Sequence, residues 1–149
     1  MRSEESPSVS DYVHVLPIRV YYEDTDAAGI VYYANYLRYA ERARTEMLRL
    51  AGVDQTTLWC RTGVRFAVRS CAIDYLAPAV LDDTLEVHSR LLRVGGASIR
   101  AEQVVRRDHM ALVRLKLRIA CFRETGQPAR MPAEVRAALT SLQQSELRA

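Results

Sequence analysis

The run 35–51 contains neither Gly nor Pro, and its one β-branched residue is Thr45, so the spacing predicts a long uninterrupted helix. At about 100° per residue, Leu37, Ala40, Ala43, Met47 and Ala51 share one face, while Arg38, Glu41, Arg42, Thr45, Glu46 and Arg49 share the other. Asn35 is placed to cap its start, and Gly52 to stop it. Arg44 falls inside the apolar arc, where a guanidinium needs a carboxylate or carbonyl partner; Glu41, three residues back, is the local candidate. A helix with a single apolar stripe must bury it against something else.

Beyond the helix the pattern changes to period two. Over 84–94, Leu85, Val87 and Leu91 oppose Glu86, His88 and Arg90; over 113–119, Leu115 and Leu117 oppose Arg114, Lys116 and Arg118. Gly95 and Gly96 are expected to supply positive φ angles to a tight hairpin, and the polar stretch 106–109 to form a second turn, giving an antiparallel meander. Residues 14–22 read as a first strand and 66–75 as another, and from Pro132 a short terminal helix carries Val135, Ala138, Leu139 and Leu142. One long helix set against one antiparallel sheet is an α+β architecture in which the sheet wraps the helix. The chain of 149 residues suits one domain, 14–149, preceded by a loose polar tail, 1–13.

Composition narrows the function. At 49% hydrophobic and 26% charged, the chain is of ordinary globular composition, and no apolar run approaches the roughly 18 residues of a membrane span. The charged opening MRSEESPSVSD does not fit a secretory leader, so a cytoplasmic protein without membrane insertion is expected. Cys60, Cys71 and Cys121 are too few and scattered for a disulfide framework and read as reduced core residues. The net charge of +3 is spread along the chain rather than concentrated, which argues against nucleic acid. Twenty of the 21 basic residues are arginine, which suits bidentate phosphate contacts but is better explained by a base-composition bias of the genome.

Chemistry concentrates in YYEDTDAAGIVYYANY, where Glu23, Asp24 and Asp26 stand among five of the eight tyrosines, with a sixth, Tyr39, three residues further on. Asp24 and Asp26 can be read simply as turn residues bonding nearby amides. A calcium loop is rejected because Ala28 and Asn35 stand where oxygen ligands belong. His14, His88 and His109 lack metal-ligand spacing, and GxSxG and GxGxxG are absent. There remains a carboxylate just ahead of a helix N-terminus, whose free N–H groups can polarise a carbonyl while the carboxylate acts as nucleophile or as base for water. That pairing suits acyl transfer from an activated ester such as a thioester.

The segment 20–49, VYYEDTDAAGIVYYANYLRYAERARTEMLR, closely resembles the hotdog-fold acyl-CoA thioesterases of the 4-hydroxybenzoyl-CoA thioesterase family, specifically the branch associated with the Tol-Pal envelope system. The resemblance continues through VRFAVRSCAIDYLAPAVLDDTLEV and covers 19–122. It implies hydrolysis of an acyl thioester to free acid and coenzyme A without metal or organic cofactor, at sites shared between chains of a dimer or dimer of dimers. By this resemblance Asp26 is the catalytic aspartate, as nucleophile or general base, and the Tyr33 backbone N–H polarises the thioester carbonyl. Gly29, Ile30, Val31 and Tyr32 line the substrate. Many members of the branch have histidine where Tyr33 stands. Some relatives bind the coenzyme phosphates through basic residues at the hairpin that here reads VGGAS, leaving Arg93, just ahead of it, as the candidate. The competing readings are a non-catalytic module binding acyl-CoA or acyl carrier protein, which has no need of the DTD loop, and a dehydratase, which wants a histidine in the loop or helix.

Overall fold

The computed structural model describes residues 12–145. The expected tail, 1–13, therefore lies almost wholly outside the described residues. The elements are β1 (His14–Arg19), α1 (Asn35–Leu50), α2 (Gln55–Thr62), β2 (Val64–Tyr75), β3 (Thr84–Val94), β4 (Ser98–Arg107), β5 (Met110–Arg123) and α3 (Ala133–Gln144). The strands form one antiparallel sheet in the order β1-β3-β4-β5-β2, with β3, β4 and β5 as the predicted meander. α1 packs across β3, β1 and β4, so that the helix stripe and the inner sheet face bury one another.

The core joins Tyr39, Ala43 and Met47 of α1 to Leu85, Val87, Val105, Leu112 and Leu115 of the sheet. Each large side chain buried this completely contributes about 1.5–3 kcal/mol. The buried arc of α1 is rotated from the expected one: Tyr36, Tyr39 and Leu48 lie inside with Ala40, Ala43 and Met47, whereas Leu37 is 40% exposed. The tyrosine rings bring more apolar area than leucine, and their side of the helix turns inward.

Four local expectations are corrected. Asn35 does not cap α1: Ala34 holds that position without a side-chain bond, and the Asn35 side chain instead donates to the Asp24 carbonyl at 2.8 Å. Glu41 is not the partner of Arg44; the carbonyl alternative holds, with Nη1 donating at 2.9 Å to the amide carbonyl oxygen Oε1 of Gln103 on β4. Gly95 and Gly96 do not have positive φ. Gly95 is needed for closeness, since a Cβ there would stand 3.0 Å from the Ser98 carbonyl oxygen, whereas at Gly96 a Cβ would meet only the flexible end of Arg130, 3.3 Å away. Of the cysteines only Cys121 is buried, its thiol pushed up to about 11 by desolvation; Cys60 is exposed.

The sequence also hid α2. Its Thr56 and Thr57 weaken helix propensity, but Asp54 accepts both of their N–H groups at its start, and Gly63, at φ +72°, ends it.

Candidate active site

The loop between β1 and α1 is closed on itself. Thr25 bridges to Val31, the Asp26 N–H donates to the Ile30 carbonyl at 2.9 Å, and the Gly29 N–H returns to the Asp26 carbonyl at 3.0 Å. Gly29 takes φ +78°, which strains other residues and makes this tight reversal possible. The loop is tied outward as well, since Val31 donates to Ala79 and Ile30 bridges to Val80, and Tyr32 closes it further by donating to the Asp24 carbonyl.

Asp24 is the fastener. Its Oδ2 accepts the Tyr21 N–H at 2.8 Å, and its carbonyl is shared by Tyr32 and Asn35. The buried Tyr39 hydroxyl faces the same carboxylate without a hydrogen bond of normal geometry; burial first, and then that negative charge, raise its pKa well above the ordinary phenol value. Asp26 is exposed. One oxygen, Oδ1, accepts the Ala28 N–H at 2.8 Å, the turn bond anticipated for this residue, and Oδ2 has no donor among the described residues.

Tyrosines build the frame. The Tyr75 hydroxyl donates to the Tyr33 carbonyl at 3.2 Å, and the Tyr36 hydroxyl accepts the Ala79 N–H at 3.1 Å. Ring centroids lie 4.8 Å apart for Tyr32 and Tyr33, 6.3 Å for Tyr33 and Tyr75, and 5.9 Å for Tyr36 and Tyr75. Burial raises the pKa of both Tyr36 and Tyr75. This bracing holds the Tyr33–Ala34 turn at the start of α1, where the Tyr33 N–H has no acceptor among the described residues. Such a donor at the positive end of a helix can polarise a carbonyl.

The structure brings Asp26, Gly29, Ile30, Val31, Tyr32 and Tyr33 into one loop, with Val31 buried at 3% and taking part through its backbone. It does not bring Arg93 there. Thr84 lies at the loop end of β3 and Arg93 near the other end, roughly 30 Å along the strand. Sequence reasoning missed Asn35 and Tyr75 as supports, and also the Arg107 guanidinium, which donates to Asp83 Oδ2 at 2.7 Å and to the Pro78 carbonyl. Each joins segments distant in the chain, and no local pattern marks them.

A model of the thioesterase-like superfamily matches residues 20–139. The chain belongs to this family. Its fold is the hotdog fold, an antiparallel sheet wrapped around α1. This thioesterase-like chain is 44% identical over 128 residues to the acyl-CoA thioesterase YbgC of Haemophilus influenzae, covering 85% of the chain and 93% of that protein. It is 42% identical over 106 residues to the acyl-CoA thioester hydrolase YbgC of Escherichia coli O6:H1, covering 70% and 78%. Among solved structures, a probable thioesterase from Bartonella henselae superposes with TM-score 0.76 at 38% identity, over 80% of this chain and 99% of that one. Relatives named YbgC are in keeping with the Tol-Pal-associated branch that the sequence resembles.

The apolar side chains around the loop are left open in a single chain. Tyr32, Tyr33, Leu37, Tyr75, Leu76 and Val80 are all at least 40% exposed. A groove of about 300 Å³ separates α1 from β2, lined by Glu41, Arg44, Met47, Phe66, Val68 and Ile119 among others. No helix among the described residues is long and apolar enough to cross a membrane.

Proposed function

We propose that this chain is an acyl-CoA thioesterase that releases a free acid and coenzyme A, with Asp26 carrying the chemistry. The observation behind it is the pairing, in one braced loop, of an exposed carboxylate oxygen and a Tyr33 N–H that both lack a partner among the described residues. In this reading the Tyr33 N–H receives the negative charge that grows on the thioester oxygen, while Asp26 attacks the carbonyl carbon or takes a proton from the water that does. The carbon–sulfur bond then breaks and the thiolate leaves; where Asp26 was the nucleophile, water next hydrolyses the Asp26 acyl anhydride, which frees the acid and restores the carboxylate. Coenzyme A leaves as part of the substrate, so the proposed step needs no metal or organic cofactor.

The same reading makes the active species a homodimer or dimer of dimers. β2 is an edge strand of 12 residues with no neighbour on its outer side among the described residues, beside the exposed residues of the loop. A second copy pairing antiparallel with β2 about a two-fold axis would set the Val64 end of one strand beside the Tyr75 end of the other. The groove between α1 and β2 of one chain would then adjoin the Asp26 loop of its partner, and its volume suits a small acyl group. A cytoplasmic location belongs to this proposal and is supported by three free cysteines.

Asp26→Asn keeps the turn bond but removes the negative charge, and separates this reading from that of a binding module or a merely structural turn. Thiol release should be followed over a panel of acyl-CoA and acyl-carrier-protein thioesters. The expected result is a kcat at least roughly 100-fold lower with little change in KM. Retention of more than about a tenth of wild-type turnover, a difference of only ~1.4 kcal/mol in barrier, overturns the assignment.

A further inference from the structure

We infer that the Tyr75 hydroxyl is a positioning group of the candidate site, aimed by a bulge in β2 at the peptide that follows Tyr33, so that the edge strand helps set the direction of the Tyr33 N–H. This role rests on the proposed reading in which that N–H receives the charge of the thioester oxygen. The bulge decides which way Tyr75 points. Before it, Phe66 pairs with Cys121 and Val68 with Ile119; after it, Cys71 pairs with Leu117, Ile73 with Leu115 and Tyr75 with Val113. All five β5 partners belong to the buried core, and ladder partners share a face. The inward positions of β2 are therefore even-numbered before the bulge and odd-numbered after it, with Arg69, between Val68 and Ser70, as the extra residue. Side chains of a regular strand alternate, so without that residue Asp74 would turn toward the core and Tyr75 away from it. Bulges occur beside sites where they re-aim a side chain.

The residue so aimed is then fixed in place. Leu76 and Ala77 both donate to the Leu112 carbonyl, at 2.8 and 3.2 Å, which pins the end of β2 to β5. The Tyr75 ring packs against two others, 5.9 Å from that of the buried Tyr36 and 6.3 Å, edge-on, from that of Tyr33. Tyr36 is itself held, since its hydroxyl accepts the Ala79 N–H. Exposed as it is, Tyr75 has its orientation set by these neighbours.

The hydroxyl reaches a carbonyl that the helix leaves aside. In the first turn of α1 the Leu37 N–H donates to the Ala34 carbonyl, and among the described residues no backbone N–H donates to that of Tyr33. Its donor is the Tyr75 hydroxyl, at 3.2 Å. The peptide on the other side of residue 33, to which the Tyr33 N–H belongs, is held from within the turn: its carbonyl, that of Tyr32, accepts the Asn35 N–H at 2.8 Å. Of the two peptides that flank the Tyr33 Cα, one is thus pinned by the start of the helix and the other by β2. An oxyanion donor acts only from the right distance and direction, so releasing the second peptide should slow the reaction without removing the donor.

Thiol-release assays on the acyl-CoA that wild type cleaves fastest, run on Tyr75→Phe, Tyr75→Leu and Asp26→Asn, test this role. Phenylalanine keeps the ring contacts and removes only the hydroxyl, so melting temperature and light-scattering mass should match wild type. Its kcat should be about tenfold lower with KM changed less than about twofold, a smaller loss than that of Asp26→Asn because the Tyr33 N–H is still present. Tyr75→Leu, which gives up the ring contacts as well, should lose at least as much. A ring that served packing alone would be rescued by phenylalanine. Turnover of Tyr75→Phe within about twofold of wild type, or an effect of that variant confined to KM, therefore overturns the positioning role. If Asp26→Asn is then at least roughly 100-fold impaired, the hydrolytic reading stands and only the role of Tyr75 falls. An Asp26→Asn protein that turns over as wild type does removes the hydrolytic reading, and the role of Tyr75 with it.

Discussion

The Asp24 carboxylate accepts the Tyr21 N–H and faces the buried Tyr39 hydroxyl, whereas Asp26, two residues on, keeps an oxygen without a protein donor among the described residues. Substitution should separate the two. Asp24→Asn preserves an acceptor for Tyr21, so its activity should stay far closer to wild type than that of Asp26→Asn. Asp24→Ala removes the acceptor and should lower stability by about 1–2 kcal/mol, with a partial loss of kcat as the loop loosens. Thermal melts and steady-state rates on the three variants check the order. An Asp24→Asn protein as impaired as Asp26→Asn would mean that the first acid takes part in the chemistry.

At the scale of elements, α1 is fastened to the sheet by a polar contact inside an apolar layer. Gln103 is fully buried; its amide donates to the Ala40 carbonyl at 2.9 Å and the Ser89 hydroxyl at 2.8 Å, and its oxygen accepts Arg44. Because the partner of Arg44 is neutral, Arg44→Ala strands an amide oxygen rather than a charge and should cost about 1–2 kcal/mol. Gln103→Leu breaks every one of these bonds and should cost roughly 3 kcal/mol. Urea midpoints of both variants and of the pair should show the losses to be non-additive. The helix and its approximate limits were legible in the missing Gly and Pro, but this fastening was not, since Arg44 and Gln103 meet only once the sheet has formed. The loop is similar: Asp26 and Gly29 announce a turn, while Tyr75 reaches it from β2 and Arg107, on β4, holds the 78–83 segment to which the loop is tied.

A second fastening answers to pH. Burial of the Asp83 carboxyl works against its ionisation, but the Val80 N–H and then the Arg107 guanidinium outweigh it and hold the pKa below the ordinary 3.8. A carboxyl with a lowered folded-state pKa adds stability that is fully present above the unfolded value and is lost as pH falls through the folded one. Melting temperature should therefore drop as pH goes below about 4, and Asp83→Asn should be less stable at neutral pH but flatter across that acid range. Parallel acid limbs for the two proteins would show that this ion pair does not govern the loss.

For the whole molecule, the question is what covers the edge of β2. A long unpaired edge next to exposed apolar residues is an invitation to further pairing, and a two-fold pairing satisfies both strands at once. Val68 is 44% exposed on that strand and lines the groove beside α1, so it lies where a partner would meet it. Val68→Asp leaves the folded single chain able to hydrate the new carboxylate. In a pair it would bury two such charges near the axis, which strongly disfavours association. The variant should keep the wild-type circular dichroism spectrum, shift to monomer in light scattering at micromolar concentration, and lose activity in proportion to the dimer lost. Raising the protein concentration should restore both together. A monomer with full turnover would show that one chain holds a complete site, and a variant that stays dimeric would put the interface elsewhere than on β2.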